Sequence, residues 1–171
     1  MLLRDRQTGF TLIELLVTIA VLAILLALAL PSFQQTLRSN RAATATNDML
    51  ASLSLARSEA IRSARGGGVC SSSNGAACNG SWSDGWLVWA DADADGTLDA
   101  GEVVLRYSRG DARLVASGPD AAIAFDSRGR LRAAAAQALT LEPAECGGQP
   151  LQRTLTISAA GQVRTAKGSC S

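Results

Sequence analysis

Residues 9–31 read GFTLIELLVTIAVLAILLALALP, an apolar stretch that contains a single charged side chain, Glu14. The run from Phe10 to Leu30 has 21 residues, and as an α-helix it would rise about 31 Å. That length crosses the hydrocarbon layer of a bilayer, which is about 30 Å thick. The stretch therefore predicts one membrane-spanning helix at residues 10–30.

The flanks of this helix predict its orientation. Arg4 and Arg6 precede it, and basic flanks stay on the cytoplasmic side of a membrane. The short head is then cytoplasmic and the rest of the chain is exported. The alternative is a secretory signal peptide, for which LALALPSF would serve as the cleavage region.

Glu14 is unusual in either kind of segment. A carboxylate in a spanning helix costs a few kcal/mol and normally has a specific partner. If the chain were cut between Gly9 and Phe10, a new α-amino group would arise one helical turn from Glu14. The amino terminus of a neighbouring subunit could then neutralise the carboxylate within a bundle of such helices.

Composition excludes several kinds of site. The chain of 171 residues has a net charge of +1 and no histidine, which removes the commonest general base and the usual zinc ligand. An enzyme is therefore disfavoured, and no cofactor is required. The four cysteines lack a CxxC pair, and their even number predicts two disulfides. Of three connectivities we favour the sequential one, Cys70–Cys78 with Cys146–Cys170, over a redox-active thiol.

The exported part begins as a helix. Pro31 should kink or loosen it. A helical pattern then resumes, with an apolar stripe at three- and four-residue steps. The glycines at 66–68 should end this helix. The stripe consists of Ala42, Ala45, Met49, Leu53, Ala56, Ala60 and Ala64. We expect it to pack on a sheet.

Short strands between turn residues follow. They are expected at 85–90, 102–108, 112–117, 121–126, 131–142 and 151–158, with SAAGQVR turning into a last strand. RLRAAAAQAL within the fifth candidate also has helix propensity. A long helix before antiparallel strands predicts an α+β fold. The divisions are a leader at 1–9, the spanning helix at 10–30, an amphipathic helix at 31–66 and a β-rich domain at 67–171.

The amino-terminal stretch, with Gly9, Phe10, Glu14, the apolar helix and Pro31, resembles the class III signal of type IV pilins and type II secretion pseudopilins. Later pieces narrow the resemblance to the GspH/FimT group of minor pseudopilins. They are ARSEAIRSARGGGVC, WSDGWLVWADADADGTLDAGEVVLR, IAFDSRGRL and LTISAAGQVRTAKGSC.

This resemblance implies a pilin-like fold and a processing reaction. A prepilin peptidase would cleave after Gly9 and methylate Phe10, and Glu14 would pair with a neighbour's amino terminus during filament assembly. The implied location is the bacterial inner membrane, single-pass, with a periplasmic C-terminal domain that enters a filament. The implied partners are other pilins or pseudopilins, the peptidase and the inner-membrane assembly platform.

An acidic stretch, DADADGTLDAGE, matches the calcium-loop template D-x-[DN]-x-[DN]-G-x₅-E at every fixed position. The candidate ligands are Asp91, Asp93, Asp95, the carbonyl of Thr97, Asp99 and a bidentate Glu102. The role of such an ion would be structural. The alternative is a hairpin loop with solvated charges.

Basic residues near the carboxyl end suggest a second kind of partner. Arg128, Arg130 and Arg132 alternate, which would place them on one face of a strand as a stripe for phosphates. Arg164 and Lys167 lie in the final hairpin. Some FimT-type minor pilins bind DNA through a carboxyl-terminal Gly-Arg-x-Arg element, but here GQVR has Gln162 in place of the first arginine. The alternative for these basic residues is a solvated, mildly positive face. The alternatives for the chain are a filament subunit, a DNA-binding minor pilin for natural transformation, or a plain membrane anchor.

Overall fold

The computed structural model describes residues 10–170, so the predicted leader at 1–9, with Gly9, lies outside the described residues. The chain divides into two compact units between Leu37 and Arg38. The first unit contains the apolar half of a long helix, and the second contains the rest of that helix and all the strands.

Helix α1 spans Leu12–Ser63 and is continuous through Pro31. In the first unit its apolar side chains are exposed, and the most apolar 18-residue window has no buried residue. Helix α1 is long and apolar enough to cross a membrane by length and composition. A proline removes only one hydrogen bond from a helix, and spanning helices tolerate that loss.

The second half of α1 carries the predicted stripe. Six of its seven members are buried: Ala42, Ala45, Met49, Leu53, Ala56 and Ala60. The seventh, Ala64, is exposed and has a φ of 55°, the left-handed conformation that ends a helix. The helix therefore stops at Ser63, before the predicted boundary at residue 66.

Within residues 10–170, eight antiparallel strands form two four-stranded sheets. Sheet 1 has the order β3-β2-β1-β5 and sheet 2 the order β4-β6-β7-β8. The strands are β1 (Gly66–Ser71), β2 (Gly85–Asp91), β3 (Val103–Arg109), β4 (Leu114–Ser117), β5 (Ile123–Asp126), β6 (Gln137–Pro143), β7 (Gln152–Ile157) and β8 (Val163–Gly168). This is the predicted α+β, pilin-like class. In the fifth candidate region, Leu131 forms only an isolated bridge with Phe125, and the strand begins at Gln137.

The glycines at 66–68 are the main local surprise, because they lie in β1 rather than at a helix stop. A Cβ at Gly67 would lie 2.5 Å from the carbonyl oxygen of Ala56 in α1. A Cβ at Gly68 would overlap the indole of Trp89 on the other face of sheet 1. These glycines therefore let the helix and a large ring approach β1 from opposite sides.

The main core lies between α1 and both sheets and includes Met49, Leu53, Phe125, Leu139 and Leu155. A smaller cluster of Cys70, Leu87 and Trp89 occupies the other face of sheet 1. Trp86, directed to the helix side, donates its Nε1–H to Ser52 Oγ at 3.0 Å. The buried indole N–H is thereby satisfied by a buried helix side chain next to the stripe.

Replacing Gly67 with alanine should destabilise the second unit by about 1–3 kcal/mol, because the new methyl group meets backbone that cannot move aside. Urea unfolding of the detergent-solubilised chain, followed by tryptophan fluorescence, measures the change. Gly168→Ala is the matched control, since its Cβ meets only the end of the Gln152 side chain. Equal stability of the two variants would contradict the close-approach explanation.

Candidate functional site

The start of α1 is fixed by two residues that bond to each other. The Glu14 N–H donates to Thr11 Oγ1 at 3.3 Å, and the Thr11 N–H donates to Glu14 Oε2 at 3.4 Å. The Thr11 carbonyl also accepts the Leu15 N–H at 3.2 Å. This is a capping box, in which the first orphan donors of a helix are satisfied reciprocally.

Phe10 lies outside α1 and is 87% exposed. The large apolar side chains of α1 as far as Leu37 are also exposed within the described residues. An exposed apolar surface of this size needs a cover of lipid or of other apolar helices. Glu14 lies at the beginning of that surface, whereas the second half of the helix is already covered by the sheets.

Both disulfides have the sequential pairing. Cys70–Cys78 closes the loop after β1, with a Cα–Cα distance of 5.6 Å. Tyr107 Oη on β3 donates to the Ser73 carbonyl of that loop at 3.1 Å. Cys146–Cys170 joins the loop before β7 to the chain after β8, and Glu145 beside it forms an ion pair with Arg38 of α1 at 3.1 Å.

The acidic loop connects β2 to β3 and is shaped by its own carboxylates. Asp91 is buried and accepts the N–H groups of Asp95 at 3.1 Å and Gly96 at 3.0 Å. Burial raises the pKa of the Asp91 carboxyl, and the loop N–H groups only partly offset it. Asp95 is exposed, and hydrogen bonds from the N–H and hydroxyl of Thr97 lower its pKa.

The donor set fits calcium in part. Ligand atoms of Asp91, Asp93 and Asp95 lie within 4.8 Å of one another, and Gly96, at the template's glycine position, has a φ of 88°. The two oxygens of Glu102 instead accept the N–H groups of Ala92 and Asp99.

Two further groups, the Thr97 carbonyl and the Arg132 guanidinium, would affect the binding of a cation in this loop. The carbonyl of Thr97 accepts the Trp89 Nε1–H at 3.2 Å and keeps a second lone pair for a ligand. Arg132 packs against Gly96, and its charge offsets a small part of the raised Asp91 pKa and adds to the lowering of the Asp95 pKa. The loop therefore already has one cation of the protein beside it.

The predicted arginine stripe does not form, because its members follow a tight turn instead of a strand. Asp126 Oδ1 accepts the N–H groups of Arg128 and Arg130, and Asp126 Oδ2 pairs with Arg130 Nη2 at 2.9 Å. Arg132 lies against the acidic loop. The alternating arginines in the sequence therefore belong to a turn that the Asp126 carboxylate caps and to the chain after it, not to a strand.

Arg164 and Lys167 are exposed on β8, an edge strand of sheet 2. Arg164 lies opposite Thr156 and Lys167 opposite Arg153 in the register with β7. Since side chains alternate along a strand, residues three apart point to opposite faces. The five predicted basic residues therefore do not share one surface.

Sequence reasoning missed Arg57, which ties α1 to two turns. Its Nε–H donates to the Gly129 carbonyl at 2.9 Å and its Nη2–H to the Ala160 carbonyl at 3.2 Å. The two carbonyls belong to turns of different sheets, so one side chain holds both against the helix. Its only sequence signal is its position beside Ala56 of the stripe.

Two family models match the chain. The model described as type II transport protein GspH matches residues 45–161, and the prokaryotic N-terminal methylation motif matches residues 4–30. No curated protein matches the chain at a significant level.

Solved structures share the fold. The type IV minor pilin FimU of Pseudomonas aeruginosa, in two crystal forms, is 23% and 24% identical, with TM-scores of 0.55 and 0.51. These matches cover 74% of this chain and 89% and 91% of the FimU chains. The minor pseudopilin EpsH of Vibrio cholerae is 17% identical with a TM-score of 0.52, and the match covers 74% of this chain and 96% of that one.

The turn at Asp126 should make the free energy of unfolding of the second unit decrease at acidic pH. Burial raises the pKa of Asp126, but hydrogen bonds from Arg130 and Arg128 outweigh it, so the pKa of this carboxyl lies below its ordinary value. A lowered carboxyl pKa adds stability that is present above the unfolded value and is lost as pH falls through the folded value.

Asp126→Asn should therefore lower stability at pH 6 and flatten its decline below about pH 4, as measured by urea midpoints across pH. Asp120→Asn, an exposed carboxylate before β5, serves as the control. An unchanged acid limb in Asp126→Asn would refute this role for the turn.

Proposed function

The chain belongs to the type II transport protein GspH family, and from this premise we propose that it is a minor pilin or pseudopilin, a structural subunit of a type IV pilus or type II secretion pseudopilus. Its role would be filament assembly and, in the secretion system, protein export. The observation that carries the proposal is the exposed apolar half of α1 with Glu14 at its beginning, inside a matched methylation motif.

The division of α1 into two halves supports this role. From Ala42 to Ala60 the helix buries its stripe in its own sheets, so this half contributes to a stable domain. From Leu12 to Leu37 the large apolar residues are exposed. That half can exchange lipid for the helices of neighbouring subunits, since both environments are apolar.

The proposed partners follow from the same half of the chain. Other pilins or pseudopilins would pack against residues 10–37, a prepilin peptidase would act at Gly9–Phe10, and the assembly platform would lie in the inner membrane. FimU and EpsH are described as a minor pilin and a minor pseudopilin, which is the class of subunit proposed here.

Glu14→Gln and Glu14→Ala separate the two roles that Glu14 can have. Glutamine keeps the capping box, because its side-chain carbonyl accepts the Thr11 N–H, but it removes the charge. Alanine removes both. If pairing with a neighbour's amino terminus drives assembly, both variants should still be processed at Phe10. Their incorporation into filaments should fall about tenfold or more, because the neighbour's amino terminus is left unpaired and an unpaired polar group in the bilayer costs a few kcal/mol.

Mass spectrometry of the mature amino terminus and quantification of the subunit in sheared filaments provide the two measurements. Thr18→Ser, which keeps a hydroxyl in the same helix, is the control. Wild-type incorporation of Glu14→Gln would remove the ion pair from the mechanism. A mature chain that begins at a residue other than Phe10 would refute the filament proposal.

The acidic loop is proposed to bind a structural calcium ion. Asp91, Asp93 and Asp95 would supply converging oxygens, with Thr97, Asp99 and Glu102 completing the shell after Glu102 releases its backbone partners. The ion would stiffen the β2–β3 connection above Trp89. It would take no part in a reaction.

Calcium titration of the purified full chain should release or absorb heat and change the fluorescence of Trp89, which is bonded to Thr97 in the loop. Asp93→Asn should weaken binding by about tenfold or more, because it removes one of the clustered charges. Arg132→Gln should strengthen binding, and Asp120→Asn should leave it unchanged. The absence of calcium heat in the wild type would exclude the ion.

DNA binding in natural transformation stays a prediction of the resemblance. Arg164 and Lys167 are exposed on an edge strand of sheet 2, but no observation on the described residues favours DNA over a solvated basic edge.

A further inference from the structure

The part of the chain that follows the exposed apolar surface carries only positive charge. Between Glu14 and Asp48 the charged residues are Arg38 and Arg41, and Arg38 is the first residue of the second unit. In the predicted orientation this is the exported flank of the spanning helix. Arginine is unusual there, because basic residues near a spanning helix normally stay on the cytoplasmic side.

A cleft of about 520 Å³ opens beside Arg38, at the end of sheet 2 that the second disulfide closes. The Arg38 guanidinium pairs with Glu145, and a Cβ at Gly147 would overlap its Nη1, so the helix contacts the chain on both sides of Cys146. The volume lies in the range of small-ligand sites. The cleft is lined by Cys146, Gly148, Gln149, Pro150, Ser169 and Cys170.

Two basic residues, here called the basic pair, lie opposite each other next to this cleft. Arg153 on β7 is directly opposite Lys167 on β8, and directly opposite residues share one face of a sheet. Arg153 is only 8% exposed, and its Nη1 donates to the carbonyls of Pro150, at the cleft, and Gln152. Like charges at opposite positions destabilise a sheet, and a buried charge is costly without a countercharge. An anion bound between the two residues would offset both costs.

The acidic residues at this end of sheet 2 are bonded to other groups. Glu142 Oε2 accepts a hydrogen bond from Gln152 Nε2 at 3.0 Å, and Glu145 pairs with Arg38. Among residues 10–170, the ion pairs include neither member of the basic pair. The positive charge beside the cleft is therefore available to a ligand from outside the chain.

From these observations we propose that the basic pair and the cleft form a site for the phosphodiester group of an anionic phospholipid. Phosphate oxygens accept charge-assisted hydrogen bonds from guanidinium and ammonium groups. The site goes beyond the proposed function, and it requires only that α1 anchor the chain in a membrane.

The position of the cleft along α1 favours a lipid over other phosphates. Arg38 directly follows Leu37, where the exposed apolar surface ends. It lies eight residues beyond Leu30, which is about 12 Å along a helix. The headgroup layer extends about 5–8 Å beyond the hydrocarbon, and long basic side chains reach back toward it. A lipid that covers the apolar surface would thus bring its phosphate near the level of the cleft.

The test measures lipid retention by the full chain. The chain is purified in a neutral detergent with either phosphatidylglycerol or phosphatidylcholine, and bound lipid is counted by native mass spectrometry. The wild type should retain phosphatidylglycerol about tenfold more strongly, because two cations act on its charge. Lys167→Gln should weaken this retention about fivefold, since it removes one of the two.

Arg164→Gln is the matched control. It removes the same charge from another exposed position of β8, but on the opposite face of the strand. Retention of phosphatidylglycerol by this variant should equal that of the wild type. Added inorganic phosphate and a DNA duplex, each at the concentration of the lipid, should leave the bound lipid in place.

Four results would overturn the proposal. Equal retention of the two lipids by the wild type would exclude an anionic site, and equal losses in Lys167→Gln and Arg164→Gln would replace it with a general charge effect. Displacement by inorganic phosphate would assign the cleft to a free anion, and displacement by the duplex would assign it to nucleic acid. A chain that does not enter filaments would refute the proposed function without changing these lipid measurements.

Discussion

The close approach of α1 to β1 is the constraint on which the second unit depends. Ala56 and Ala60 on the helix face Gly67 on the strand, so backbone meets backbone without an intervening side chain. This contact seats the helix deeply enough for Met49 and Leu53 to reach the core that both sheets share. Arg57 then holds one turn from each sheet against the same helix.

The opposite face of sheet 1 depends on the same glycines. The Trp89 ring lies over Gly68, and its Nε1–H reaches the Thr97 carbonyl of the acidic loop. The disulfide-closed loop covers the neighbouring part of this face through Tyr107. Two polar loops thus cover the small apolar cluster of Cys70, Leu87 and Trp89. The conformation of the acidic loop is coupled to the packing of the Trp89 indole through the hydrogen bond to Thr97. Calcium, if bound, would act on this coupling.

Charges in the second unit are largely used to join its own elements. Asp126 pairs with Arg130 within a turn, Arg106 on β3 pairs with Asp48 on α1, and Arg38 pairs with Glu145 beside a disulfide. Surface ion pairs of this kind add little stability each, but Arg106–Asp48 fixes a strand to the helix and Arg38–Glu145 fixes a loop to it. In the first unit the situation differs: among residues 10–170, Glu14 bonds to the nearby Thr11 at 3.3–3.5 Å, and the apolar surface beside it is exposed. The two units therefore suit different tasks, a self-contained domain and an assembling helix.

The sequence alone determined those features that depend on residues close together along the chain. The apolar run predicted the first half of α1 as a helix long enough to cross a membrane, three- and four-residue spacing predicted the six buried residues of the stripe, and alternation predicted β7 with its inward Leu155 and Ile157. Cysteine order matched the two disulfides. The tertiary structure decided the rest. The glycines at 66–68 form a strand because a helix and an indole pack on them from elsewhere in the chain, and Arg132 lies beside the acidic loop some forty residues earlier in the sequence. Such contacts join residues far apart in sequence, and periodicity along the chain carries no information about them.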